Sequence, residues 1–145
     1  MTVAEKIPIA AERSVWLETI ETLLREAETW ASAQGWKLTR RTKEFTDEAL
    51  SDDVQQNYTV PILEIAVPSQ VAPRGRDEKL VLEPVMFNPL TGVGRVDFYA
   101  WPAMYRVRMI RRSDEWTIKT DSGIDWPLPW NEQTFVQIAQ GLAKA

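Results

Sequence analysis

The sequence predicts an α+β domain: an N-terminal amphipathic helix, a six-stranded, mostly antiparallel meander and a C-terminal helix, with both helices on one face of the sheet. Three observations predict it. Apolar residues recur at helical spacing from about residue 9 to 33, and again from about 131 to 142. Between them lie short runs of alternating apolar and polar residues, separated by clusters of Pro, Gly, Asn, Asp and Ser. Most links between runs are too short for a crossover helix, so sequential strands should pair antiparallel.

The first helix is placed at Ile9–Ala33. Trp16, Ile20, Leu23, Ala27 and Trp30 form one seam, which Leu24 and Ala31 widen. Glu12, Glu18, Glu21, Arg25, Glu26 and Glu28 fall mainly away from it, and Glu21–Arg25 is an i, i+4 pair of helpful polarity. Gly35 stands where a C′ glycine stops a helix. Residues 1–8 are expected to be a flexible tail.

Trp36–Phe45 reads as the first strand, with Trp36, Leu38, Arg40 and Thr42 on one face and Lys37, Thr39, Arg41 and Lys43 on a wet, basic one. Thr46–Asn57 is an acidic connection. Tyr58–Val67 is the second strand, and its Pro61 favours an edge or a bulge. A loop over Pro68–Lys79 leads to the third strand, Leu80–Phe87, and Asn88–Gly92 has turn chemistry. In the fourth strand, Val93–Ala100, the residues Val96, Phe98 and Ala100 oppose Arg95, Asp97 and Tyr99. In the fifth, Ala103–Arg112, the residues Tyr105, Val107 and Met109 oppose Met104, Arg106, Arg108 and Ile110. Trp116–Thr120 is the sixth. Trp126-Pro127-Leu128-Pro129-Trp130 should run extended and strap down the last helix, or else dock a partner. Asn131 should cap that helix, which buries Phe135, Ile138, Ala139 and Leu142.

Residues 1–145 suit a single domain, since a chain of this length buries roughly 70% of its unfolded surface. The N-terminus has no basic segment followed by an apolar one, and no apolar run nears the roughly 20 residues of a membrane span. A cytoplasmic location and no membrane partner are therefore expected. The seven tryptophans should sit mostly in the core or at its edge.

Composition excludes much chemistry. Without cysteine there is no disulfide, thiolate nucleophile or thiolate metal site. Without histidine the commonest acid–base group near neutral pH is missing, as is the commonest metal ligand. Carboxylate chemistry is left. Asp97, Glu64 and Glu83 fall on three strands and would suit a Mg²⁺-dependent hydrolase. The strand after Asp97 supplies Arg106-Val107-Arg108-Met109, with neither a second acid nor a lysine, so an ordinary ion pair from Asp97 to Arg106 or Arg108 is the simpler reading. Asp47, Glu48, Asp52 and Asp53 lack the alternating ligands and central glycine of a calcium loop and read as solvated. No catalytic residue, metal or cofactor is assigned.

Net charge is −4, yet Arg95–Arg112 holds five arginines and one acid. Asp97, Tyr99, Trp101, Tyr105, Arg106, Arg108, Arg111 and Arg112 form the candidate binding surface, because Arg, Tyr and Trp dominate interface energetics. The leading expectation is a non-enzymatic protein-binding module, chaperone-, adaptor- or immunity-like, with homo-oligomerisation as one form of it. The alternative is a nucleic-acid-associated protein using the Arg106–Arg112 strand. The third is the hydrolase at Asp97.

Overall fold

The computed structural model describes residues 9–47, 57–68, 78–101, 106–112, 114–120 and 128–144. The expected tail at 1–8, the side chains of Met104, Tyr105 and Trp126, and the acids Glu48, Asp52 and Asp53 lie outside them. Helix α1 spans Ile9–Ala33. Strands β1 (Lys37–Thr46), β2 (Asn57–Val67), β3 (Glu78–Asn88), β4 (Val93–Trp101), β5 (Arg106–Arg112) and β6 (Glu115–Thr120) follow, and helix α2 (Glu132–Lys144) ends the order. Each strand pairs antiparallel with its sequence neighbour, giving the sheet order β1-β2-β3-β4-β5-β6. The expected α+β fold, with both helices on one sheet face, is the fold observed.

The helical seam does what its spacing implies. Trp16, Ile20, Leu23, Leu24, Ala27 and Ala31 are buried, and they meet the inward residues of β2–β6, among them Leu63, Leu80, Leu82, Phe98, Met109 and Ile118. Gly35 adopts φ 79° at the end of α1, where the Trp36 N–H returns to the Ala31 carbonyl at 3.1 Å. Asn131 caps α2 by accepting from the Thr134 N–H at 2.8 Å. The Phe135 ring then sits 5.7 Å from that of Phe98, 5.8 Å from those of Trp30 and Trp130, and 6.4 Å from that of Trp36. Leu128 bridges to Ile118, and the Trp130 Nε1–H donates to Glu26 at 3.3 Å, so the described end of the proline-rich stretch straps α2 beside α1.

Pro61 and Pro84 sit inside strands because the sheet splits locally. β2 pairs with β3 only over Leu63–Val67, so the first half of β2 has β1 alone as its neighbour. At that free edge a missing N–H leaves no carbonyl unpaired. Pro84 flanks a bulge against β4, beyond the last β2 partner of β3. On β2 the inward side changes from Leu63, Ile65 and Val67 to Tyr58 and Val60 across Pro61. Trp16 fills the resulting cleft, stacked on Phe87 at 5.0 Å and 4° and lying 6.5 Å from Phe45. Gly94 makes room for that ring: a Cβ there would stand 2.2 Å from Trp16 Cζ3. Among the described residues, no helix is long and apolar enough to cross a membrane.

Candidate functional site

The sheet face away from the helices carries a lattice of ion pairs built on two buried carboxylates, Glu64 and Asp97, and a half-buried one, Glu83. The register places Glu83 opposite Asp97, Asp97 opposite Arg108, and Tyr99 opposite Arg106. Asp97, 2% exposed, accepts from Arg95 Nε and Nη2 at 2.7 and 2.9 Å and from Arg106 Nη1 at 3.1 Å. Glu83 accepts from Lys43 Nζ and the Tyr99 hydroxyl, both at 2.6 Å, so Lys43 ties the two sides of the split together. Glu64 is held by Arg41 and by Lys79, the latter at 3.1 Å. The Arg106 guanidinium lies 4.1 Å above the Tyr99 ring, itself packed on Ile62 and Val81.

Electrostatics fix the protonation of Glu64, Glu83 and Tyr99. Burial alone would raise the Glu64 carboxyl, but the hydrogen bonds from Lys79 and Arg41 outweigh it and hold the group below the usual carboxylate range. Glu83 is lowered likewise: burial is overcome by Lys43 and the Tyr99 hydroxyl. Burial, then the bond to Glu83, pushes Tyr99 up to about 12, so it stays a neutral donor. An acid–base pair needs one carboxyl raised and one free, and Glu64 and Glu83 are both lowered. No group of three or more metal-binding side chains occurs among the described residues. As expected for an ordinary ion pair, Asp97 is bonded to Arg106, with Arg95 as an added partner.

The expected binding residues divide between surfaces. Asp97, Tyr99, Arg106 and Arg108 share the open face. Trp101 ends β4 on the same side, opposite Lys79, and is 62% exposed. Arg111 faces the helix side instead: it opposes Trp116, and its guanidinium lies 5.5 Å from that ring. Strand alternation separates it from Arg106 and Arg108 despite their closeness in sequence. Arg112 is exposed at the end of β5, and Tyr105 lies outside the described residues. Arg111 borders a groove of about 720 Å³ between α1 and the β5–β6 hairpin, with Val15, Thr19, Trp116 and Leu128 among its walls.

Two constellations have no local sequence signal. Asp47, read as part of a solvated loop, is instead buried and accepts from Arg13 Nε and Nη2 at 3.1 and 2.8 Å and from the Tyr58 hydroxyl. Burial, then that bond, raises the Tyr58 hydroxyl. Arg40 reaches up from β1 to Glu21 and Glu28 of α1. Only the assembled register brings these groups together.

Alternation and contact put Lys37, Arg41, Lys43, Lys79 and Arg95 on the open face, joined by Arg106, Arg108 and Lys119. With Arg112, these cations outnumber the acids that share the face, Glu64, Glu83, Asp97 and Glu115. The outward side of α1 carries the opposite sign, through Glu12, Glu18, Glu26 and Glu28. An acidic protein thus presents a basic sheet face. No family model matches this chain, and no curated protein or solved structure matches it either.

Proposed function

We propose that the chain is a non-enzymatic protein-binding module, chaperone-, adaptor- or immunity-like, that works through the open face of its sheet. One observation carries this reading: Arg106 lies over Tyr99, 4.1 Å from the ring centroid, while Trp101 is 62% exposed one step along the same face. Arginine, tyrosine and tryptophan together are the anchors of protein interfaces. The three carboxylates argue against catalysis, since each is already bound by a cation.

The excess of cations favours one second reading, a nucleic-acid-associated protein. Single-stranded nucleic acid is held largely by base stacking on aromatic rings. Tyr99 is roofed by Arg106 and 7% exposed, which leaves Trp101 as the exposed ring of this face among the described residues. Protein is therefore the better-supported partner.

The test is cross-linking capture with two baits, the native chain and Trp101→Ala. A partner retained by the first and lost by the second, at equal melting temperature, supports the reading. A Mg²⁺-dependent hydrolytic activity that Asp97→Asn abolishes without loss of stability refutes it.

A further inference from the structure

Resting on the protein-binding reading above, we infer that the partner of the open face is an acidic protein segment carrying an apolar side chain beside its carboxylates. The charges of the molecule are biased by face: cations predominate on the open face of the sheet, and acids predominate on α1 despite Arg13 and Arg25. The side chains of Arg41, Lys79 and Arg106 are 53%, 50% and 41% exposed, although each already touches a buried carboxylate. A guanidinium has five N–H donors. Arg106 gives one to Asp97, and Arg41 gives its Nε–H to Glu64.

The buried acids therefore act as positioning groups. They hold each cation at one side, and about half of each side chain is left to solvent. Ordering a long cationic side chain is a main cost of using it at an interface, and here that ordering precedes binding. Trp101, opposite Lys79 in the register, gives the same patch an apolar anchor. Carboxylates answer the cations, and a neighbouring apolar group answers the indole.

Two other occupants fit less well. Nucleic acid would want successive open ring faces, and with Tyr99 covered by Arg106 this face offers Trp101 alone among the described residues. A second copy would have to offer the acids of α1, of which Glu21 and Glu28 are already held by Arg40.

The experiment uses the full chain with three fluorescent probes in parallel: poly-L-glutamate, an oligothymidylate of matched charge, and a neutral polymer. Anisotropy is read at two salt concentrations, beside light scattering of the protein alone. Polyglutamate should bind, less tightly as salt rises, and the neutral polymer should not. Arg106→Gln should weaken that binding about threefold, the effect of a half-exposed ion pair. Asp97 keeps Arg95 in this variant, so the fold persists. Arg25→Gln makes the same charge change on α1 and should leave binding unaltered.

Equal losses in the two variants, or oligothymidylate binding tighter than polyglutamate with the same Arg106 dependence, overturn the inference. So does concentration-dependent self-association that Arg106→Gln removes. Failure of polyglutamate while cross-linking still yields a Trp101-dependent partner overturns the acidic preference alone. Failure of both overturns the protein-binding reading with it.

Discussion

Replacing Gly94 with alanine tests the packing that holds β4 under α1. The new Cβ would stand 2.2, 2.6 and 2.7 Å from Cζ3, Cη2 and Cε3 of Trp16. Carbon atoms pack at about 3.5–4.0 Å, so the indole must retreat by more than an ångström. It has nowhere easy to go: Trp16 is fully buried, lies parallel to Phe87 at 5.0 Å, and leans on Phe45. Overpacking a filled core costs about 1–3 kcal/mol, and a rigid ring trapped between two others belongs near 3. At about 2–4 °C per kcal/mol for a domain near this size, the melting temperature should fall by about 6–12 °C. Thermal unfolding followed by near-UV circular dichroism and tryptophan fluorescence reads this. Trp16→Leu combined with Gly94→Ala should lose less than the sum of the two single changes, because the clash disappears with the ring. A fall of under 2 °C for Gly94→Ala, or strict additivity with Trp16→Leu, would refute the proposed contact.

Gly141→Ala should do the opposite: its Cβ would meet nothing within 4 Å in the body of α2, so helix propensity should raise stability by about 0.5–1 kcal/mol, read as a higher urea midpoint. Asp97→Asn should destabilise by about 2–3 kcal/mol, below the usual cost of breaking a buried pair because Arg95 and Arg106 can rehydrate. A gain in stability would instead mark the aspartate as held under strain for chemistry. Glu64 and Glu83 titrate lower in the folded chain than the roughly 4.3 of an unfolded glutamate. Their stabilisation is thus complete above about pH 5 and lost as pH falls further, and Glu64→Gln should flatten that acid limb in urea midpoints measured across pH. Tyr99 titrates near 12 against about 10 unfolded, so its contribution is full below about pH 10 and lost between the two values, with Tyr99→Phe removing that alkaline slope.

Elements and faces were legible because they depend on period. The seam from Trp16 to Trp30 recurs at helical spacing, and Val96, Phe98, Val107 and Met109 alternate, so helix and strand declared themselves locally. Pro61 was legible as an edge signal, yet β2 is an interior strand; only the short β2–β3 register shows that it is an edge for half its length. Arg111 was grouped with Arg106 and Arg108 by nearness in sequence, and alternation places it on the other side of the sheet. Asp47 looked like any acid in an acidic connection. Its burial is set by Arg13, distant in the chain, and by Tyr58 on the next strand. The cations of the open face were visible as residues, but the carboxylates that aim them come from β2, β3 and β4, whose mutual register periodicity alone does not set.

The Phe135 ring has a consequence for the order in which the chain can be assembled. Every strand pairs with its neighbour in sequence, so the sheet can form hairpin by hairpin as the chain leaves the ribosome. Trp30, Trp36 and Phe98 all precede Phe135 in the chain, but the ring that closes over them belongs to α2, which follows the whole sheet. A sheet that has paired before α2 docks has its aromatic centre open to water, and docking of α2 closes it. A chain stopped before Asn131 would remain open, with strands paired and an unsealed apolar face ready to aggregate.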